Sequence, residues 1–130
     1  MVEISKEILK EYGIYETRKL KENEEAMLLK IKKEIEKIIN IPVERVYIIN
    51  EAAWGKEPEK AQYSICVLVD KRLKDLKEKR ELLIPYAEKR KIEILFWTLC
   101  QFEKRKNVPT EEEYYISRYG IKVYDSGKKP

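Results

Sequence analysis

The sequence predicts a single α/β domain in which helices pack on a mixed sheet of three to four strands. Its 130 residues are the length of one domain with one core. Segments with helical periodicity alternate with short, branched apolar runs that are typical of buried strands. No internal repeat, low-complexity stretch or linker interrupts the alternation.

The first element of the domain is predicted to be an amphipathic helix from Glu24 to about Asn40. Apolar side chains recur there at spacings of three and four, and Pro42 follows the helix. Residues 1–23 are predicted to form an N-terminal helical extension, and residues 24–127 the α/β domain.

Three strands are predicted next. Residues 46–49 and 63–69 are apolar runs joined by a short polar segment, which favours an antiparallel pair. A helix over residues 71–89 is long enough for a right-handed crossover, so the strand at residues 92–97 is expected to run parallel to the second.

The chain is then predicted to close with a helix and a last strand. Thr110 can cap a helix whose first turn is acidic, and Gly120 ends that helix. Residues 121–124 alternate in polarity, which indicates a short strand.

The composition favours a cytoplasmic protein that binds neither membranes nor nucleic acid. Charged residues make up 40% of the chain, but 28 Lys and Arg against 24 Asp and Glu leave a net charge of only +4, and basic clusters lie beside acids. No apolar run approaches the ~20 residues of a membrane span, and the charged residues at the start do not resemble a signal peptide.

The chemistry open to this chain is narrow. Histidine is absent, which excludes histidine-dependent nucleophiles and histidine-ligated metal sites. Cys66 and Cys100 both have apolar sequence neighbours and are expected to be buried, reduced thiols. Catalysis would therefore require carboxylates, Lys, Tyr or Cys.

The order of elements resembles the minimal nucleotidyltransferase family over residues 24–127. In that family one strand ends in a GSxARG-type loop, the next carries a DxD motif, and a later strand carries a third carboxylate. The positions that correspond here are Asn50 and Glu51 for Gly-Ser, Gln62 and Ser64 for the two aspartates, and Glu93 for the third carboxylate. The tail RYGIKVYD also resembles the family's ending, in which a helix passes through a glycine into a last strand.

The resemblance implies a two-metal site whose ligands have been replaced. Nucleotidyl transfer in the family uses two divalent ions, which paired carboxylates hold. Gln62 and Ser64 keep the polarity of those positions without the charge, and Glu51 adds a carboxylate where the resemblance places phosphates. We therefore expect no catalytic residue, no cofactor, and no metal ligand other than Glu93.

Trp54 and Gly55 are the candidate cleft residues, because Gly55 matches the closing glycine of the family's loop. The indole of Trp54 could stack on a base at the cleft mouth, or it could fill the space that a nucleotide occupies in the family.

Three functions are compatible with these patterns. The first is a catalytically degenerate interaction protein, and the resemblance implies an antitoxin-like half of a two-protein system. The second is an active nucleotidyltransferase that binds Mg²⁺ and ATP or another NTP through displaced ligands. Its candidate ligands are Glu51, Glu59, Asp70 and Glu93. The third is a nucleic-acid-binding module, which the interspersed charges disfavour.

A protein partner is expected in the first case, either a second copy of the chain or a helical protein. The candidate contact surfaces are the N-terminal extension and the helix that carries Tyr115 and Tyr119.

Overall fold

The computed structural model describes residues 19–49, 53, 63–74 and 92–129. Three helices and four strands lie within these residues, which confirms the predicted α/β class. In chain order they are α1 (Glu22–Ile39), β1 (Val43–Ile49), β2 (Tyr63–Val69), β3 (Ile92–Thr98), α2 (Leu99–Arg105), α3 (Glu112–Tyr119) and β4 (Ile121–Asp125).

The four strands form one mixed sheet in the order β3-β2-β1-β4. Strand β1 runs antiparallel to β2 and to β4, whereas β2 and β3 run parallel. The predicted antiparallel pairing of the first two strands and the predicted parallel pairing of the second and third are both confirmed. Because β2 has a strand on each side and helices on both faces, every one of its residues is buried, which explains why the strand is apolar except at Ser64.

Helices cover both faces of the sheet. Helix α1 covers one face, where its buried Leu28, Ile35 and Ile39 pack with the odd-numbered residues of β2. Helices α2 and α3 cover the other face, where Leu99, Phe102 and Ile116 pack with Cys66 and Leu68 of β2. The division follows from the alternation of side chains along a strand.

Helix α1 begins two residues before the predicted start and ends where predicted. Glu24 is buried, and its carboxylate accepts hydrogen bonds from the backbone N–H of Lys21 at 3.2 Å and from the Tyr63 hydroxyl at 2.5 Å. The second bond ties the start of α1 to β2. Asn40 caps the other end in the left-handed conformation, at φ 59°, which asparagine tolerates better than most residues.

The prediction that Thr110 caps the last helix is wrong. Glu111 is the N-cap of α3, and its side chain makes no capping hydrogen bond. The backbone forms the start instead: the Glu111 N–H donates to Val108 O at 3.0 Å, which completes a turn before the helix.

Gly120 ends α3 as predicted, but for a different reason. Its backbone is extended, with φ −86° and ψ 162°, so the left-handed conformation typical of a terminal glycine is not used. A Cβ at this position would lie 2.5 Å from Ile116 O and 3.1 Å from Ile48 O. Glycine is therefore needed because the chain passes close to the end of α3 and to β1.

The predicted helix over residues 71–89 and the predicted N-terminal extension lie largely outside the described residues. Residues 71–74 are not helical, and the rest of the predicted helix over residues 71–89 lies outside the described residues, as does the extension up to residue 18. Helix α2 was not predicted.

Cys66 is buried as expected, whereas the prediction for Cys100 is wrong, because Cys100 on α2 is exposed to solvent. Within the described part of the chain, every helix lacks the combined length and apolar character that crossing a bilayer requires.

Candidate functional site: the Ser64–Glu93 strand pair

The structure brings two of the predicted site residues together. Ser64 of β2 and Glu93 of β3 are directly paired in the parallel register. Ser64 alternates with Cys66 and Leu68, so the pair is on the face of the sheet that α2 and α3 cover. Ser64 is buried and Glu93 is exposed. The strands thus place a buried hydroxyl beside a solvent-accessible carboxylate.

The end of β1 lies against the same point. Ile49, the last residue of β1, pairs with Ser64 on the opposite side from Glu93. Asn50 and Glu51 follow Ile49 directly in the chain, but their positions, like those of Trp54, Gly55, Glu59 and Gln62, are outside the described residues. Ala53 is described and is fully buried in the core on the α1 face.

A second carboxylate, that of Glu112, contributes to the electrostatics on this face of the sheet. Burial, together with the negative charges of Glu112 and Glu93, raises the pKa of the Cys66 thiol to about 12. Both carboxylates therefore contribute to the potential at Cys66, two residues along β2 from Ser64. Glu112 was not foreseen as a site residue, because the acidic turn that contains it reads in the sequence as the start of a helix.

The carboxylates do not form a metal centre within the described part of the chain. Among the described residues, no group of three or more His, Cys, Asp or Glu side chains could hold a metal ion. Asp70, a displaced-ligand candidate, follows the far end of β2, roughly 20 Å along the strand from Ser64. Its carboxylate accepts a hydrogen bond from Lys128 Nζ at 2.8 Å. Asp70 and Glu93 therefore do not converge.

Helix α3 supplies a buried carboxylate that the sequence analysis missed. Glu113 is 3% exposed, and its Oε1 accepts hydrogen bonds from Trp97 Nε1 at 3.0 Å and Gln101 Nε2 at 3.4 Å. Its Oε2 is buried and has no hydrogen-bond donor among the described residues. Glu113 thus joins α3 to β3 and α2 through their polar side chains.

The tyrosines of α3 divide between the core and the surface. Tyr114 is fully buried. Tyr115 and Tyr119 are half-buried, and their ring centroids lie 6.0 Å apart along the helix. The guanidinium of Arg118 lies 4.7 Å from the Tyr114 ring centroid.

An ion-pair network fixes α2 against the sheet. Arg45 of β1 bonds Glu103 of α2 at 2.5 Å, and Lys106 bonds the same carboxylate at 2.7 Å. Burial opposes ionisation of Glu103, but the bonds from Lys106 and Arg45 outweigh it and hold the pKa of Glu103 below its ordinary value. Burial alone would lower the pKa of Arg45, but the bond to Glu103 outweighs burial. The pKa of Arg45 is therefore raised overall.

No protein-family model and no curated protein matches this chain. The chain is similar to one in the crystal structure of a mutant of the toxin–antitoxin MntA-HpeT, with a TM-score of 0.46 and 14% sequence identity. The match covers 79% of this chain and 74% of that chain.

Proposed function

We propose that this protein is a nucleotidyltransferase-like α/β domain that does not transfer nucleotides and acts by binding another protein, as the antitoxin-like half of a two-protein system. The proposal rests on the resemblance of its element order to the minimal nucleotidyltransferases and on the composition of the strand pair at Ser64 and Glu93. That pair is the observation that carries it.

The register supports the placement of these positions. The resemblance assigns Ser64 to a metal-holding aspartate and Glu93 to the third carboxylate, and such ligands must lie side by side to share an ion. Ser64 and Glu93 are direct neighbours in β2 and β3, and the end of β1 lies beside them. This pairing is compatible with the layout of a metal site, in which Ser64 would supply no charge.

The loss of charge is large in energetic terms. A carboxylate ~4 Å from a divalent ion is worth roughly 8 kcal/mol at an effective dielectric constant near 20, before desolvation is subtracted. Replacing both aspartates, at Gln62 and Ser64, removes that contribution twice. Glu93 alone would supply too little negative charge to hold two divalent ions, and without those ions the triphosphate would lose its main positive partners.

The half-buried tyrosine pair of α3 supports a role in protein binding. Tyrosine is enriched at protein interfaces, because its ring buries a large apolar area and its hydroxyl can still bond at the rim. Tyr115 and Tyr119 lie on one face of α3, one turn apart, beside the buried Tyr114.

Affinity capture combined with a transfer assay tests the proposal. The wild-type protein is expected to recover a helical protein partner, and Tyr115→Ala to weaken that recovery. Tyr124→Ala is the matched control, because Tyr124 is also half-buried but lies on β4 beneath Lys32 of α1. With labelled NTPs and Mg²⁺, we expect no label on the partner, on RNA or on the protein itself. A monomer that light scattering finds unassociated at high concentration, and from which no partner is recovered, would contradict the binding role.

The displaced-ligand enzyme is the second candidate, and one observation favours it. Glu93 pairs with Ser64 on the face of the sheet that α3 covers, and Glu112 lies in the first turn of α3, so two carboxylates belong to the same face. This enzyme would require label transfer by the wild-type protein that Glu93→Gln or Glu112→Gln abolishes. Transfer that survives both substitutions would exclude these two residues as its ligands.

A further inference from the structure

We propose that a cavity at the carboxyl ends of β2 and β3 binds a small organic anion, a carboxylate or phosphate group carried on an apolar body. The cavity has a volume of about 540 Å³, which is in the range of small-molecule sites. The described residues that line it are Val69, Arg72, Leu73, Phe96, Trp97, Thr98 and Gln101.

The cavity is distinct from the Ser64–Glu93 strand pair. Val69 and Thr98, the last residues of β2 and β3, are paired and both line the cavity. Ser64 and Glu93 are five residues earlier on the same strands, roughly 16 Å away. The carboxyl ends of parallel strands are where open α/β sheets most often bind ligands.

The charge at the cavity favours an anion. Arg72 is the only charged side chain among the described lining residues. It is exposed and forms no ion pair with any residue that the structure describes. Asp70, the acid nearest to Arg72 in the sequence, accepts a hydrogen bond from Lys128 instead. The guanidinium of Arg72 therefore keeps its paired N–H donors, whose geometry matches a carboxylate or a phosphate.

The other described lining residues favour a ligand in which the anionic group is attached to an apolar group. Val69, Leu73 and Phe96 contribute aliphatic and aromatic surface. The indole N–H of Trp97 already donates to Glu113, so Trp97 contributes aromatic surface to the cavity and no free donor.

Two polar groups remain near the end of β3. Thr98 Oγ1 accepts a hydrogen bond from the Gln101 N–H at 3.2 Å, which leaves the hydroxyl proton to donate. Gln101 donates to Glu113 through Nε2 and keeps its amide oxygen as an acceptor. The bonds to Glu113 hold Trp97 and Gln101 in place, so the wall is preorganised for a ligand.

Calorimetric titration with four probes tests the proposal: phenyl phosphate, phenylacetate, benzyl alcohol and inorganic phosphate. At least one aromatic anion is expected to bind at a single site. Benzyl alcohol, which lacks the charge, and inorganic phosphate, which lacks the apolar body, are each expected to bind roughly tenfold more weakly or not at all. The tighter of the two aromatic anions identifies the preferred oxyanion, and equal affinities identify a site for either.

Two variants locate the binding. Arg72→Gln is expected to weaken binding of the aromatic anion roughly tenfold and to leave the affinity for benzyl alcohol unchanged. Lys74→Gln is the matched control, because Lys74 is an exposed cation two residues away that does not line the cavity. In a ¹H–¹⁵N spectrum, the anion should shift the Trp97 indole signal, which the Trp97→Phe spectrum assigns. Absence of saturable anion binding at millimolar concentration, or equal binding by Arg72→Gln, would overturn the proposal.

Discussion

At the scale of single residues, the Tyr63–Glu24 hydrogen bond is the clearest buried polar contact in the core. Both residues are at most 5% exposed, and the bond connects positions 39 apart in the sequence. We expect Tyr63→Phe to lower the free energy of unfolding by about 1–3 kcal/mol, because it removes a donor from a buried carboxylate. Urea unfolding measures this.

The control for that experiment is Tyr124→Phe. The Tyr124 ring lies 3.9 Å from Lys32 Nζ, and this cation–π contact survives loss of the hydroxyl. We expect the control to change the free energy of unfolding by less than about 0.5 kcal/mol. Equal losses in the two variants would mean that the Tyr63 hydroxyl contributes nothing specific.

The two cysteines are expected to differ sharply in reactivity. Thiol reagents attack the thiolate, and Cys66 is fully buried with its pKa raised to about 12, whereas Cys100 is exposed on α2. A thiol reagent at neutral to mildly alkaline pH should therefore modify one thiol rapidly in the folded protein and the second only after denaturant is added. In Cys100→Ser the rapid phase should disappear. A rapid phase that persists in this variant would contradict the burial of Cys66.

At the scale of elements, the Arg45–Glu103 pair joins β1 to α2. The two side chains are 13% and 21% exposed, so the pair is partly screened by solvent. We expect Glu103→Gln to lower the free energy of unfolding by about 1–2 kcal/mol at neutral pH, since it leaves Arg45 with only the 3.7 Å contact to Asp125 among the described acids.

The pH dependence of that loss has a definite sign. The pKa of Glu103 is lower in the folded state than in the unfolded chain, where a glutamate titrates near ~4.3. Its contribution is therefore complete above the unfolded pKa and is lost as the pH falls through the folded pKa. The wild type and Glu103→Gln should become equally stable in acid. Glu34→Gln is the control, because its partner Lys37 is 74% exposed and the pair should contribute little at any pH.

The sequence is informative for some elements and not for others, for physical reasons. Strand β2 could be predicted from its sequence, because a central strand buried on both faces is apolar at nearly every position, and Ser64 is its one small polar exception. Helix α2 could not, because it follows β3 with no intervening loop and is only seven residues long. Leu99 and Phe102 are its two buried side chains, too few to establish a helical period against the preceding strand.

The candidate site, too, could be predicted from the sequence only in part. The positions of Ser64 and Glu93 on two strands followed from the order of elements, but their direct pairing did not. Register between strands that a long crossover connects depends on tertiary packing, which a single sequence does not reveal. Glu112 and Glu113 were missed because acidic residues in a first helical turn are equally expected from the helix dipole alone.

At the scale of the whole molecule, the parallel pair β2–β3 has two functionally different ends. One end carries the Ser64–Glu93 pair beside the end of β1, where the family resemblance places nucleotide chemistry. The other end carries the cavity with Arg72. We assign no catalysis to the first end and anion binding to the second, so either assignment can fail without the other.

The central claim is that the Ser64–Glu93 end of the sheet no longer holds metal and nucleotide. Calorimetric titration with Mg²⁺-ATP at sub-millimolar concentration tests it most directly. We expect no saturable heat for the wild type and measurable binding for the double variant Gln62→Asp/Ser64→Asp, whose urea unfolding should show that the fold persists. Saturable binding by the wild type that Glu93→Gln or Glu51→Gln abolishes would contradict the claim.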